Sequence, residues 1–160
     1  MQRLEIWLLA IGVMFLILIV LFSNAQLWGH KQVAILDIWS SQHLLTGILL
    51  GMLLSTLSRR FPENQLLSRG TFLVLFLAYL WEGTEYLLET AAPGIVTHFM
   101  GGVEYFWNRF LADPLIVFGG AVLGRHLKGS RWQWILSLTV LILFVAIHLL
   151  LGKSTYFHEL

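Results

Sequence analysis

Glu82 and Glu85 stand three residues apart in a stretch, Thr71 to Glu89, that is otherwise apolar enough to face lipid. A carboxylate at the bilayer centre costs about 2.5–3.5 kcal/mol on insertion scales, so such acids are paired, protonated or metal-bound and mark functional sites. With Glu89 the two follow i, i+3, i+7, one stripe of a helix. Three further residues bear on the same chemistry. His43 lies in the apolar run Ile38 to Leu57, Asp113 opens the run Ala112 to Leu127, and His148 sits in the run Trp132 to Leu151. One imidazole with two or three carboxylates is a hard N/O ligand set suited to Zn, Mn or non-haem Fe. A bound divalent ion would stabilise adjacent carboxylates and lower the pKa of a bound water. The metal-ligand candidates are therefore His43, Glu82, Glu85 and Asp113, and the candidates for catalytic acid or base are Glu82, Glu85 and His43.

The elements that must carry these residues are membrane helices. The chain has 160 residues, 58% hydrophobic and only 12% charged, against about 25% charged in a soluble domain. A span needs about 20 mostly apolar residues, and five runs qualify or nearly so: Ile6–Trp28, Ile38–Leu57, Thr71–Glu89, the short Ala112–Leu127 and Trp132–Leu151. Ala91–Leu111 breaks at Pro93-Gly94 and Gly101-Gly102, and its aromatics suit an interfacial or re-entrant segment. The fold expected is all-α, a single polytopic membrane bundle over residues 1–160 with about five spans. Ser23-Asn24-Ala25 resembles a signal-peptidase site. The apolar core before it is too long for a signal peptide, and Glu5 balances Arg3, so the first run is read as a retained span. The net charge of +1 gives no reason to expect nucleic acid, and the lack of cysteine excludes disulfides and thiolate chemistry.

Five spans place Arg3, Arg59, Arg60, Arg69, Arg125, Lys128 and Arg131 on one side and Lys31, Arg109 and Lys153 on the other. The first side is then cytoplasmic, with the N-terminus inside and the C-terminus outside. In this topology the acids and histidines gather toward the outer half. At a rise of 1.5 Å per residue, His43 lies roughly 10 Å below the outer surface, Glu82 roughly 12 Å, Glu85 roughly 7 Å, and Asp113 and His148 roughly 5–7 Å. Four spans thus carry a polar residue into one layer, where a bundle could converge them. His43, Gly47 and Gly51 share a face, and Gly120 and Gly124 form a second small-xxx-small pair, so these helices can approach closely.

Blander readings stand beside this one. Glu82 and Glu85 could form a structural pair with Arg109, Asp113 before Pro114 could be a helix cap, and His43 could be a satisfied interhelical histidine. His148 is isolated, and His98 and Glu104 fall in the ambiguous segment. The aromatic residues Trp28, Trp39, Trp107, Trp132, Trp134 and Tyr156 fall mostly where an interfacial belt would. A serine nucleophile is not favoured. Ser40 and Ser41 are near His43, but neighbours on a helix point apart, and no Gly-x-Ser-x-Gly occurs. Nor is there an inverted repeat of the transporter kind. A single Glu-x-x-Glu does not make the paired Glu-x-x-His signature of di-iron bundles.

Three pieces resemble the VanZ-like proteins and related small bacterial inner-membrane families: His43-Leu-Leu-Thr-Gly47, Trp81-Glu82-Gly-Thr-Glu85, and Leu111-Ala112-Asp113 followed by Gly120-Ala-Val-Leu-Gly124. They occur in the family's order across residues 37–124. The chain departs from the family at Trp39, Arg109 and Val117, where polar or acidic residues are usual. The resemblance implies a bacterial inner-membrane location and keeps His43, Glu82, Glu85 and Asp113 as site residues. The family's founding member is linked to glycopeptide antibiotic resistance.

The function expected is an outward-facing His/Glu/Asp site in a metal-dependent enzyme or binding protein for a lipid or envelope-associated substrate. The alternative is a non-catalytic accessory subunit of a larger membrane complex, with partner subunits meeting the glycine-faced helices. The topology is checked by reporter fusions after Ser58 and after Leu151. The charge bias predicts cytoplasmic signal from the first and external signal from the second; the reverse pair would overturn the orientation.

Overall fold

Leu, Ile, Val and Phe dominate the long runs of this chain, and the described runs form helices, one of them through Pro114 and Gly119-Gly120. In a computed structural model, described for residues 2–23, 26–30, 32–58, 64–91, 104–127 and 130–151 (backbone alone at 2–5, 58, 64–69, 144 and 147–151), most residues are helical. The α-helices are α1 (Gln2–Ser23), α2 (Ile38–Ser58), α3 (Asn64–Ala91), α4 (Asp113–His126) and α5 (Arg131–Leu151). Within α1, α2 and α3 the stretches Ile6–Ser23, Ile38–Leu57 and Gly70–Ala91 are each long and apolar enough to cross a membrane.

The helix α4 does not begin at Asp113 as an independent element. Phe106 and Trp107 are already helical, and a π-turn over Asn108–Ala112 leads into α4, with the Asp113 N–H donating to the Asn108 carbonyl. Single π-turns inside helices are uncommon and recur at functional sites. Asn108, Arg109, Ala112 and Asp113 are all buried along this turn.

The centre of the bundle is the crossing of α2 and α4. Gly47 and Gly51 of α2 lie against the Val117 and Ala121 carbonyls of α4. Gly120 and Gly124 of α4 lie against the Leu44 and Ile48 carbonyls of α2. A Cβ at any of the four would come within 2.1–2.5 Å of a carbonyl oxygen. The two small-residue faces read from the sequence therefore pack against each other, backbone on backbone. Helix α3 lies on this pair through its stripe Thr71, Val74, Ala78, Glu82 and Glu89, all buried. Val74, Ala78, Val117 and Ala121 form the apolar core, with Leu50 and Leu54 against it. At the other end from Glu89, the Arg125 Nη1 donates to Thr71 Oγ1 at 3.0 Å and ties α4 to α3. Helix α1 is exposed along most of its length and meets α4 where Leu115 reaches Gly12 and Leu9 reaches Gly119.

Several sequence expectations shift. The first helix ends at Ser23, not Trp28. Trp28 belongs to a short ribbon, absent from an all-α reading, in which β1 (Gln26–Trp28) pairs in parallel with β2 (Ala34–Leu36) in the register Gln26↔Ala34 and Trp28↔Leu36. Ala34 and Ile35 are fully buried, and β2 runs directly into the start of α2 and packs on the π-turn. Trp39 is buried at the start of α2, so it is not part of an interfacial belt. Of the ambiguous segment Ala91–Leu111, residues 92–103 lie outside the described residues, as do Lys31, Arg59, Arg60, Lys128, Lys153, Tyr156, His158 and Glu159.

The crossing makes a specific demand on two glycines. Gly51→Ala places a methyl 2.2 Å from the Ala121 carbonyl oxygen and is expected to destabilise by about 1–3 kcal/mol, as overpacking does. Gly83→Ala meets nothing within 4 Å and should stabilise by up to about 1 kcal/mol through helix propensity. Thermal unfolding in detergent reads both; equal melting temperatures would contradict the packing.

Candidate functional site

The site starts from a helix cap. Asp37 precedes α2, and its Oδ1 accepts from the Trp39 N–H at 2.8 Å and the Ser40 N–H at 3.1 Å. The Ser40 Oγ accepts from the Asp37 N–H at 3.1 Å. This reciprocal arrangement satisfies donors that a helix start leaves open. The same Ser40 hydroxyl donates to Asp113 Oδ1 at 3.1 Å, so the cap of α2 is joined to α4 through one oxygen. One turn further, His43 reaches the same carboxylate: its Nε2 lies 3.3 Å from Asp113 Oδ2. Its Nδ1 lies 3.8 Å from Glu82 Oε1. The imidazole is thus set between a carboxylate of α4 and one of α3.

Two sequence readings are corrected here. Ser40 and His43 are three residues apart and share a helix face; treating both serines as pointing away from the histidine holds only for Ser41. Asp113 is not the N-cap of α4, because the chain arrives already helical and the cap position is Ala112, itself in helical conformation.

A second set of acids gathers on Arg109. Its Nη2 donates to Glu89 Oε2 at 2.6 Å and lies 3.1 Å from Glu104 Oε2, while its Nε is 3.8 Å from Glu82 Oε2. Glu104 is fixed in turn: its N–H donates to Glu89 at 3.4 Å, and its Oε1 accepts from the Asn108 side chain at 3.2 Å. The guanidinium also lies 5.8 Å from the Tyr86 ring centre, a cation–π distance. The structural pairing considered from the sequence is therefore real for Arg109, but its main partners are Glu89 and Glu104.

The described side chains give two groups whose ligand atoms lie within 4.8 Å of one another, His43–Glu82–Asp113 and Glu82–Glu85–Glu104. Glu82 is common to both. Of the sequence candidates, His43, Glu82 and Asp113 converge. Glu85 falls in the second group, beside the Arg109 partners. The His148 side chain and all of His98 lie outside the described residues. Sequence reasoning missed Asp37, Ser40, Glu89 and Glu104 as members. Asp37-x-x-Ser40 before an apolar run carried a capping signal; nothing local marked Glu104, whose role comes from the π-turn.

The electrostatics are unbalanced. Asp37, Glu82, Glu85, Glu89, Glu104 and Asp113 bring carboxyl groups together around a single guanidinium, and Glu82 and Asp113 are at most 1% exposed. Two like charges about 4 Å apart repel by about 4 kcal/mol at an effective dielectric of 20. Arg109 offsets this on the Glu89–Glu104 side. On the His43 side, both Glu82 oxygens and Asp113 Oδ2 are buried and find no hydrogen-bond donor among the described residues, which natural structures rarely leave unexplained. An apolar cavity of about 320 Å³ opens beside this half, with His43 and Glu82 in its wall. Asp113 stands behind them.

No protein-family model, curated protein or solved structure matches this chain. The site is read from its own geometry.

Removing the guanidinium should be severe. Arg109→Met removes the guanidinium that Glu89 and Glu104 share, a change expected to destabilise by about 3–5 kcal/mol. Adding Glu89→Gln should recover part of that loss. Unfolding midpoints of the two single variants and the double variant test the coupling; additive losses would contradict it.

Proposed function

We propose that the chain is a multi-pass bacterial inner-membrane protein that holds one divalent cation between His43, Glu82 and Asp113. The cation would be Zn, Mn or Fe, and the site would act on a lipid or envelope-associated substrate. The observation that carries this reading is the trio itself. It comprises an imidazole nitrogen and two carboxylates within 4.8 Å of one another, with three carboxylate oxygens buried and lacking donors. Two ligands of one metal ion stand at most about 4.4 Å apart, twice a bond of roughly 2.0–2.2 Å, so a small contraction completes the set. Ser40, bonded to Asp113 Oδ1, fits the part of an outer partner that orients a ligand.

The roles divide by position. Asp113 holds and orients. Glu82 and His43 line the cavity and face the substrate, His43 or Glu82 moving a proton at the reacting oxygen. A cation held by His43, Glu82 and Asp113 would supply Lewis-acid chemistry there, polarising a phosphoryl or carbonyl oxygen or lowering the pKa of a water. Glu85 borders the site from the Arg109 side and shapes its charge. The positive-inside bias and the VanZ-like motifs support about five spans, a cytoplasmic N-terminus and an outward-facing site.

Elemental analysis of protein purified without chelator tests the reading. About one bound cation per chain is expected, lost in His43→Ala and in Glu82→Gln, with affinity about 10–100-fold weaker in Ser40→Ala, as for outer-shell partners. Active, metal-free protein would overturn the metal assignment. Metal-free protein that purifies in fixed ratio with a larger membrane enzyme would favour an accessory subunit instead.

A further inference from the structure

The cavity beside His43 and Glu82 has a shape that the cation site does not use. Its polar end is His43, Glu82 and Gln42; the rest is lined by apolar groups, chiefly Leu50, Val74, Ala78, Val117 and Leu141. Along α2 it runs from His43 to Leu50, and along α3 from Glu82 back to Val74, about 10–12 Å at 1.5 Å per residue. That length is comparable to one leaflet's hydrocarbon depth, about 15 Å for a core of 30 Å, and because it starts about 10–12 Å below the outer surface it carries the apolar part of the cavity past the bilayer midplane. Its volume of about 320 Å³ lies at the lower end of the roughly 300–1,000 Å³ range of small-ligand sites.

The cavity also has a side entrance. Helices α3 and α5 both pack on α2 but barely touch each other among the described residues. The residues at that gap, Leu77, Trp81 and Val145, are 43%, 56% and 40% exposed. Helix α3 is long and apolar enough to cross a membrane and α5 is mostly apolar, so within a bilayer the gap between them would face acyl chains. The floor residues Val74 and Ala78, at 3% and 7% exposed, are not on the outer surface that ordinary surrounding lipid covers.

We infer that the gap between α3 and α5 admits a single hydrocarbon chain from the surrounding bilayer, which lies on Val74, Ala78 and Val117 with its polar end drawn down to His43 and Glu82. The occupant is a membrane lipid, presented tail-sideways so that its headgroup linkage meets the His43–Glu82 pair. This rests on the reading above that the site takes a lipid-borne substrate, and narrows it to one bilayer lipid bound through one tail.

Photo-cross-linking tests it directly. The full-length protein is placed in liposomes of phosphatidylglycerol and phosphatidylethanolamine carrying a diazirine in one acyl chain, and cross-linked residues are mapped by mass spectrometry. The expected result is labelling of Leu50, Val74 and Val117. It should fall about tenfold or more in Leu77→Trp and in Val145→Trp, which narrow the entrance from exposed positions and should leave folding intact. Labelling confined to outward residues such as Leu73, Phe76 and Leu80, or cleft labelling unchanged in both tryptophan variants, would overturn the inference. Metal content measured on the same samples separates the two proposals: cleft labelling in metal-free protein removes the cation and keeps the tail site. Bound cation without cleft labelling does the reverse.

Discussion

Everything in this molecule depends on how closely α2 and α4 cross. Four glycines bring the two backbones into contact, Gly47 and Gly51 on one side and Gly120 and Gly124 on the other. In lipid there is little hydrophobic gain from pressing helices together, so such contacts are held by close packing and interhelical hydrogen bonds. The crossing fixes the distance between the start of α2 and the start of α4. That distance is what allows Ser40 and His43, from one helix, to reach opposite oxygens of Asp113 on the other. A leucine in place of any of the four glycines would separate the polar groups as surely as it would open the core.

The buried acids are divided into two halves with different solutions. Around Arg109 the charge is partly offset by a guanidinium held by Glu89 and Glu104, with the Tyr86 ring beside it. Buried ion pairs of this kind add little net stability over an apolar replacement, yet lose much when one partner is removed. Around His43 there is no second fixed cation among the described residues, and among them both Glu82 oxygens and Asp113 Oδ2 find no hydrogen-bond donor. Glu82 belongs to both halves, 3.8 Å from Arg109 and 3.8 Å from His43. It couples the structural half to the half that faces the cavity. On the proposed reading, the fold supplies its own cation on one side and leaves the other for an ion.

Much of this was legible from residue order. Periodicity located the inward stripe of α3, and glycine spacing located both faces of the crossing. Common depth brought His43, Glu82 and Asp113 to one level. What escaped had no local signature. The π-turn at Asn108–Ala112 reflects tertiary constraint, and it is what turns Arg109 inward; a lone arginine in an aromatic segment otherwise reads as an interfacial charge. Ser40 was discounted by grouping it with Ser41, although one residue of offset decides which face a helical side chain takes. The ribbon of β1 and β2 is three residues per strand, too short for an alternation pattern to register. Glu85 sits on the predicted stripe, but the stripe passes from one half of the acid cluster to the other between Glu82 and Glu89.

The central claim is that the His43 half of the cluster is a cation site. It is tested most directly by an experimental structure of the purified protein with anomalous scattering recorded above and below the Zn, Fe and Mn absorption edges. The account predicts one anomalous peak about 2.0–2.2 Å from a His43 nitrogen and from oxygens of Glu82 and Asp113. His43 bonded directly to both carboxylates, with no peak between them, would contradict it.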